Sequence, residues 1–201
     1  MSTGSPATAP PVPVLYFAAL PQLHPANNIG VSLLHSFAPN AAVRLAGAAT
    51  TASRTISVSW RPRDGRRSEE ARTCILDWSG CLGVWSNSPD TITAAVPEQD
   101  RTEYAAIAVM ALLVHHLEGA EVVGTLAIGS GGDYNLLVKK KTRFQVEVSG
   151  IEVDLLGHET RKRVRKKSAQ VLKRRKKGFV SVTTFDHQAQ GVLSHLRFVW
   201  K

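Results

Sequence analysis

The 201-residue sequence predicts a mixed α/β protein, because helix-like and strand-like apolar patterns alternate along it. Apolar residues make up 43% of the chain and charged residues 20%, which suits a buried core under a polar surface. A long apolar helix is expected over 98–118, followed by strands, a basic helix and a further strand. These features exclude a chain that is disordered throughout, and no linker divides the sequence into two domains.

The N-terminal half contains short strand-like segments separated by turns. Residues 1–13 are small, polar and proline-rich and lack the basic start and apolar block of a secretory signal, so we expect a flexible tail. Residues 14–96 are expected to form a β-rich part packed on the rest of the protein. Strands are predicted at 14–20, 54–60 and 72–78, with a short one among the turns at 80–90, whereas residues 29–37 are ambiguous. The strands at 54–60 and 72–78 are expected to pair as a hairpin.

Residues 97–201 are expected to form the core of the fold. Pro97, Glu98 and Asp100 suit a first helical turn, because proline fits that position and acidic side chains are favoured by the helix dipole. The helix is expected to run to Glu118. Strands are then predicted at 122–128, 133–138, 143–151, 178–185 and 195–200, with a basic helix at 159–177.

The positive charge is concentrated in one region of the chain. The net charge is +9, and residues 139–177 contain fifteen Lys and Arg against four acidic residues. Such a basic block is typical of a surface that docks a phosphate backbone, although a solvated helix face gives the same pattern. The residues expected to bind nucleic acid are Lys139, Lys140, Lys141, Arg143, Arg163, Lys166, Lys173, Arg174 and Arg175.

The cysteine and hydropathy patterns indicate the compartment. Cys74 and Cys81 are too few for a disulfide framework and too far apart for a close zinc-binding pair, which favours a reducing, cytoplasmic environment. The longest apolar stretch, 107–114, is well short of the roughly 20 residues that a bilayer span needs. We therefore expect no membrane partner.

A hairpin of residues 133–138 and 143–150 would bring two acidic side chains together. A register pairing Tyr134 with Val146 makes one face of the hairpin almost wholly apolar and places Asp133 opposite Glu147. Two carboxylates at that separation repel each other unless a cation lies between them. Mg²⁺ prefers such oxygen ligands, so the pair predicts a magnesium site, unless a nearby Arg or Lys neutralises one carboxylate.

The order of elements and these acids together resemble the PD-(D/E)XK nuclease superfamily, the restriction-endonuclease-like fold. The resemblance covers about residues 98–186, with Asp133 matching the first acid of the motif and Glu147 the second. The glycines before Asp133 resemble the turn that often precedes that acid, namely Gly129, Gly131 and Gly132. A helical glutamate often joins the metal site in this superfamily, and Glu103 is the matching position. The resemblance implies a core of a helix, a three-stranded meander, a helix and a strand.

The sequence departs from the family motif two residues after Glu147, where Ser149 replaces the usual lysine. In the family that lysine orients or activates water and stabilises negative charge. The basic helix offers substitutes on a stripe beside its apolar face, of which Lys167 is the first choice. Gln170 resembles a helix glutamine of some RecB-like members that contacts substrate or orders the site.

The resemblance implies a nuclease that uses Mg²⁺, or Mn²⁺ as a substitute, to hydrolyse phosphodiester bonds of DNA, with RNA less favoured. Asp133, Glu147 and Glu103 would hold the metal, and Lys167 would stabilise the charge on the phosphoryl group. Ser149 favours the alternative of a catalytically inactive nuclease fold that binds nucleic acid as a subunit of a larger assembly. A protein partner or homodimer fits either reading, and microbial defence is an association from the fold class.

Two other features have simpler explanations. His115 and His116 are adjacent, so a helix points them about 100 degrees apart and they do not form the histidine pair of a zinc protease. Tryptophan side chains are more often buried in a protein core than available to stack on unpaired bases, and burial is the commoner explanation for the four in this sequence. They are Trp60, Trp78, Trp85 and Trp200.

Overall fold

The computed structural model describes residues 11–46, 51–64, 68–81, 89–126, 133–152, 157–174, 177–186 and 191–201. Its strands are β1 Val14–Tyr16, β2 Ser53–Arg61, β3 Glu70–Asp77, β4 Ala120–Thr125, β5 Tyr134–Val138, β6 Thr142–Ile151, β7 Lys177–Asp186 and β8 Gly191–Trp200. Its α-helices are α1 Leu20–Leu23, α2 Ile29–Ser32, α3 Ala38–Ala46, α4 Pro89–Ala95, α5 Glu98–Glu118 and α6 His158–Arg174. Most of the expected tail, most of the short strand at 80–90, the three motif glycines and Arg175 lie outside the described residues.

All eight strands form one sheet in the order β1-β3-β2-β8-β7-β6-β5-β4. The pairs β1–β3, β2–β8 and β6–β7 are parallel, and the other neighbours are antiparallel. The mixed α/β class is therefore confirmed. The strands of 14–96 join those of 97–201 through the β2–β8 pair, so one sheet runs through both parts of the chain.

Helices cover the sheet on both faces. Successive strand side chains point to opposite faces, so Val146 and Val148 of β6 pack in the main core with α5, while Glu147 and Ser149 face α6. On the α6 side, Val164 and Val171 pack against Val180 and Val182 of β7. The part of β6 that carries Glu147 is therefore covered by helices on both sides and largely withdrawn from water.

The helix α5 runs from Glu98 to Glu118, as the sequence predicts. Residues 105–114 are all buried, because the sheet covers one side of α5 and α3 packs against it as well. Gly119 ends the helix in the left-handed conformation, with φ of 58°, and its N–H donates to the carbonyl of His115 at 3.0 Å. No helix among the described residues is long and apolar enough to cross a membrane.

The N-terminal part differs from the sequence expectation in two respects. The segment expected to be a buried strand at 14–20 is extended only over Val14–Tyr16 and then turns into short helices. Residues 29–46 are helical, so the described part of 14–96 contributes helices as well as three strands. Outside the N-terminal part, the basic helix α6 ends at Arg174 rather than at 177. Lys177 instead belongs to β7, where it pairs with Trp200 of β8.

Two buried polar side chains fix the N-terminal helices to the core. The His24 ring accepts a hydrogen bond from the Val122 N–H at 3.0 Å through Nδ1, and its Nε2 lies 3.1 Å from the Ala111 carbonyl. Arg44 of α3 donates to a Glu152 carboxylate oxygen at 2.9 Å and to the Glu98 carbonyl at 2.8 Å. Arg44 thereby holds the N-terminal end of α5 against the end of β6, where the acidic side chains gather.

Candidate active site

The β5–β6 hairpin has the register that the sequence predicts. Tyr134 pairs with Val146, Leu136 with Phe144 and Val138 with Thr142. The ladder extends one step further through the Asp133 N–H, which donates to the Val146 carbonyl at 2.9 Å. Because β5 begins at Tyr134 while β6 continues to Ile151, the last residues of β6 lie beyond the end of β5.

Asp133 occupies the point where β6 loses this neighbour. Its carboxylate oxygen Oδ2 accepts a hydrogen bond from the Val148 N–H at 2.6 Å, which satisfies a strand donor that β5 no longer reaches. The Asp133 side chain therefore lies at the part of β6 that carries Glu147, although the paired register itself ends at Tyr134 and Val146.

A lysine lies between the two carboxylates. Lys167 Nζ is 2.7 Å from Glu147 Oε2 and 3.8 Å from Asp133 Oδ2. The exposed fractions of the Lys167 and Glu147 side chains are 17% and 7%, so this ion pair is mostly shielded from solvent. The lysine selected from the helix pattern thus reaches the acids, and it is the neutralising cation that the sequence left open as an alternative to a metal.

Glu103 reaches the same end of β6 from the first turns of α5. Its Oε2 accepts a hydrogen bond from the Gly150 N–H at 3.2 Å. Burial raises the pKa of Glu103, while the Gly150 hydrogen bond and the charge of Lys167 oppose the rise. A Cβ at Gly150 would lie 2.3 Å from the Thr102 carbonyl oxygen, so the absence of a side chain at Gly150 allows α5 to approach β6.

A second helix-to-strand contact lies beside Lys167. Arg163 Nη1 donates to the Ser149 hydroxyl at 3.2 Å, and Ser149 is buried. Arg163 and Lys167 are one helical turn apart on α6, and their partners Ser149 and Glu147 are two residues apart on β6. The sequence identified Arg163 as a nucleic-acid contact and Ser149 as a missing lysine, but not that the two residues bond to each other. The sequence signal that could have shown this is the matching spacing of the two elements. Residues four apart on a helix lie on one face, as do residues two apart on a strand, so two such pairs can contact each other.

The remaining predicted site residues lie at different distances from this cluster. Gln170 is exposed on α6 about one turn after Lys167. Lys166 is also exposed on α6. Lys173 and Arg174 are exposed at the end of the helix, further from the acids.

The turn lysines lie at the far end of the hairpin. Lys139, Lys140 and Lys141 follow β5, whose five residues separate Lys139 from Asp133 by about 20 Å at roughly 3.4 Å per residue step. We call this region the hairpin end, comprising residues 139–143, the start of β7, the end of α6 and the C-terminal ends of β2, β8 and α5. The expected nucleic-acid contacts therefore fall into a group near the acids and a group at the hairpin end.

The donor set suits a hard cation in type. Asp133 and Glu147 present carboxylate oxygens side by side, which is the ligand chemistry of Mg²⁺ and Mn²⁺. The Lys167 ammonium group occupies the position between them, and Glu103 is turned toward Gly150. Accordingly, among the residues that the structure describes, no three His, Cys, Asp or Glu side chains converge as metal ligands. A metal at these acids would share them with Lys167 or displace it from one of them.

The chain matches no protein-family model, no curated protein and no solved structure. The geometry of the site therefore carries the functional argument.

Proposed function

We propose that the protein is a metal-dependent nuclease that hydrolyses phosphodiester bonds of DNA. The observation that carries the proposal is the contact of Lys167 with both Glu147 and Asp133 at the open end of the β5–β6 hairpin, away from its turn. Two acids and one lysine in a single cluster are the components that a phosphodiester hydrolase of the PD-(D/E)XK type requires. Here the lysine comes from α6 instead of the strand.

The order of elements supports a restriction-endonuclease-like core. The helix α5 is followed by the antiparallel strands β4, β5 and β6, then by α6 and by β7 parallel to β6. This is the helix, meander, helix and strand arrangement expected from the family resemblance. The strands β1, β2, β3 and β8 extend it on the β7 side.

Each acid has a distinct role in the proposal. Asp133 and Glu147 would hold Mg²⁺ or Mn²⁺, with Glu103 near enough to join through a water molecule. When bound, the metal supplies a polarised phosphoryl oxygen and a water molecule of lowered pKa. The Val148 N–H fixes the Asp133 carboxylate, so that this oxygen is held in place before any substrate arrives.

Two basic side chains of α6, Lys167 and Arg163, face the position where a phosphate would lie against the acids. Lys167 would place an ammonium group beside the phosphoryl oxygens and stabilise the charge that develops on them. Arg163, bonded to Ser149, would bind the same or the adjacent phosphate. The basic turn and the end of α6 would engage phosphates further along the backbone, so that affinity falls steeply with salt.

A second candidate function rests on the same lysine. Lys167 pairs directly with Glu147 and lies near Asp133, which offsets part of the repulsion between the two carboxylates without a metal. A nuclease fold with this ion pair and no hydrolytic activity would bind nucleic acid as a subunit of a larger assembly. One experimental outcome distinguishes the two candidate functions, because the inactive subunit would bind nucleic acid without cleaving it.

Cleavage of plasmid, linear duplex, single-stranded DNA and RNA in Mg²⁺, Mn²⁺ or EDTA tests the proposal. We expect metal-dependent cutting of DNA that falls by at least 100-fold in Asp133→Asn and Glu147→Gln. Glu159→Gln is the control, because Glu159 is an exposed acid of α6 that pairs with Lys162. Circular dichroism shows whether each variant is folded. Folded wild-type protein that binds DNA without cutting it would support the inactive subunit instead.

A further inference from the structure

Cationic side chains from five elements meet at the hairpin end. The strands β6 and β7 are parallel, so both start at this end. The helix α6 connects them, and its last turn lies over Gly178 at the start of β7. The antiparallel partner β8 ends there, as does β2, which runs parallel to β8. The cations gathered in this way are Arg61, Arg63, Lys139, Lys140, Lys141, Arg143, Lys173, Arg174 and Lys177.

Aromatic rings are interleaved with these cations. The Arg61 guanidinium carbon lies 4.9 Å from the centre of the Trp200 ring, and Trp200 is 41% exposed. Lys177 Nζ and the Arg63 guanidinium lie 5.6 and 5.8 Å from the centre of the Phe144 ring. Phe144 is buried and only holds these cations in place, whereas the exposed Trp200 presents a ring on which a base of single-stranded nucleic acid can stack while its phosphates pair with the cations.

A cavity of about 440 Å³ opens on the same end. Its walls include Trp60, Arg63, Asp64, Glu118 and Lys139, and it lies at the C-terminal end of α5. Trp60 Nε1 donates to Glu118 Oε1 at 2.8 Å, which fixes the plane of the indole. The indole ring and the two cations are complementary to the face of a base and to the phosphate of a nucleotide. The volume is within the range of small-ligand sites, about 300–1,000 Å³.

The turn beside the cavity has lysines at two positions whose backbone conformation favours other residue types. Lys139 and Lys140 have φ of 49° and 55°, and the Lys141 N–H donates to the Val138 carbonyl at 3.1 Å. Asn and Gly adopt such left-handed positions at lower cost than lysine. Two lysines in this turn therefore place charge at the cavity at the expense of backbone stability.

We propose that the hairpin end binds single-stranded nucleic acid, with one unpaired base in the cavity against Trp60 and the flanking phosphates on Arg63 and Lys139. A duplex fits this site less well, because the faces of its bases are already stacked on one another. The proposal extends the proposed nuclease function by giving the substrate an unpaired segment about 20 Å from the acids at roughly 3.4 Å per strand residue. Binding at this end needs no hydrolysis.

The test is fluorescence anisotropy with a labelled single-stranded DNA, the RNA of the same sequence and the DNA duplex. The full chain carries Glu147→Gln, so that cleavage does not interfere and the two proposals fail independently. We expect single strands to bind at least fivefold more tightly than the duplex, and the DNA and RNA arms show which sugar is preferred. Tryptophan fluorescence should be quenched on binding, and Trp60→Phe should reduce the quenching.

A double substitution separates binding from folding. Lys139→Asn with Lys140→Gly should raise the melting temperature while weakening single-strand binding at least tenfold. Lys162→Ala with Arg165→Ala removes two charges from exposed positions of α6 and should weaken binding less than threefold. Equal losses in the two double variants, equal affinity for duplex and single strand, or no binding at all would overturn the proposal.

Discussion

Lys167 of α6 and Glu147 of β6 form an ion pair with 2.7 Å between Nζ and Oε2. Both side chains are largely buried, and Asp133 Oδ2 lies 3.8 Å from the same ammonium group. A carboxylate in such a place is costly when its cation is removed, because it is then left without a compensating charge. The pair therefore couples the stability of the α6–β6 contact to the chemistry of the site.

Lys167→Met should destabilise the protein by about 3 kcal/mol, because it leaves Glu147 unpaired in a buried position. Adding Glu147→Gln to this variant should restore part of the loss, since the remaining side chain is neutral. Urea denaturation of the wild type, both single variants and the double variant measures the coupling between the two residues. Lys162→Met, at an exposed position of α6, should change the stability by less than about 0.5 kcal/mol. A loss for Lys167→Met no larger than that of the control would contradict the buried pair.

Moving the lysine to the strand tests whether Lys167 replaces the residue that the family motif carries. In a Lys167→Met background, which should cut DNA at least 100-fold more slowly, Ser149→Lys should recover part of the lost rate. The reason is that Ser149 is directly across from Arg163, one helical turn from Lys167, so an ammonium group there reaches the same acids. Ser149→Met in the same background fills the space without charge and should recover nothing. If the double variant Lys167→Met with Ser149→Lys is folded but inactive, that result would contradict the role given to Lys167.

The local parts of the site follow from the sequence because short-range patterns determine them. The alternation of apolar residues fixes the β5–β6 register, and the register brings Asp133, which precedes the last pair, to the part of β6 that carries Glu147. Helical spacing selects Lys167 as a side chain beside the apolar face of α6, and its contact with both acids agrees with that. The extent of α5 follows from Pro97 and Gly119.

The long-range parts do not follow from such patterns. The insertion of β8 between β2 and β7 joins residues more than 100 positions apart, and no periodicity encodes that pairing. The short helices between Leu20 and Ser32 are held by buried contacts such as that of His24, rather than by an amphipathic repeat. The sequence predicts six of the nine cations of the hairpin end as nucleic-acid contacts, but not that Arg61, Arg63 and Lys177 join them, because only the sheet order brings β2 and β7 to that end.

Gly150→Ala should damage both the fold and the site. The added methyl group would meet the Thr102 carbonyl oxygen at 2.3 Å, so α5 must move away from β6, and Glu103 with it. We expect a loss of about 1–3 kcal/mol in the free energy of unfolding and a fall in cleavage rate. Gly124→Ala is the matched control, because an added methyl group at Gly124 of β4 has no neighbour within 4 Å. Thermal denaturation and the cleavage assay should separate the two variants, and equal behaviour would show that the α5–β6 approach is not tight.

Stability should fall in mild acid because of His24. Burial is the main cause that lowers the pKa of His24 to about 4 from 6.5, and the neighbouring His115 adds to it. The unfolded chain therefore binds a proton below about pH 6.5 that the folded protein does not take up until about pH 4. Stability is full above the unfolded pKa and declines through this window, by on the order of 3 kcal/mol at 1.36 kcal/mol per unit. Denaturation of wild type and His24→Gln at several pH values should show a shallower decline in the variant, whereas His158→Gln, at an exposed position, should follow the wild type. Parallel pH profiles for His24→Gln and wild type would show that His24 is not the group that titrates.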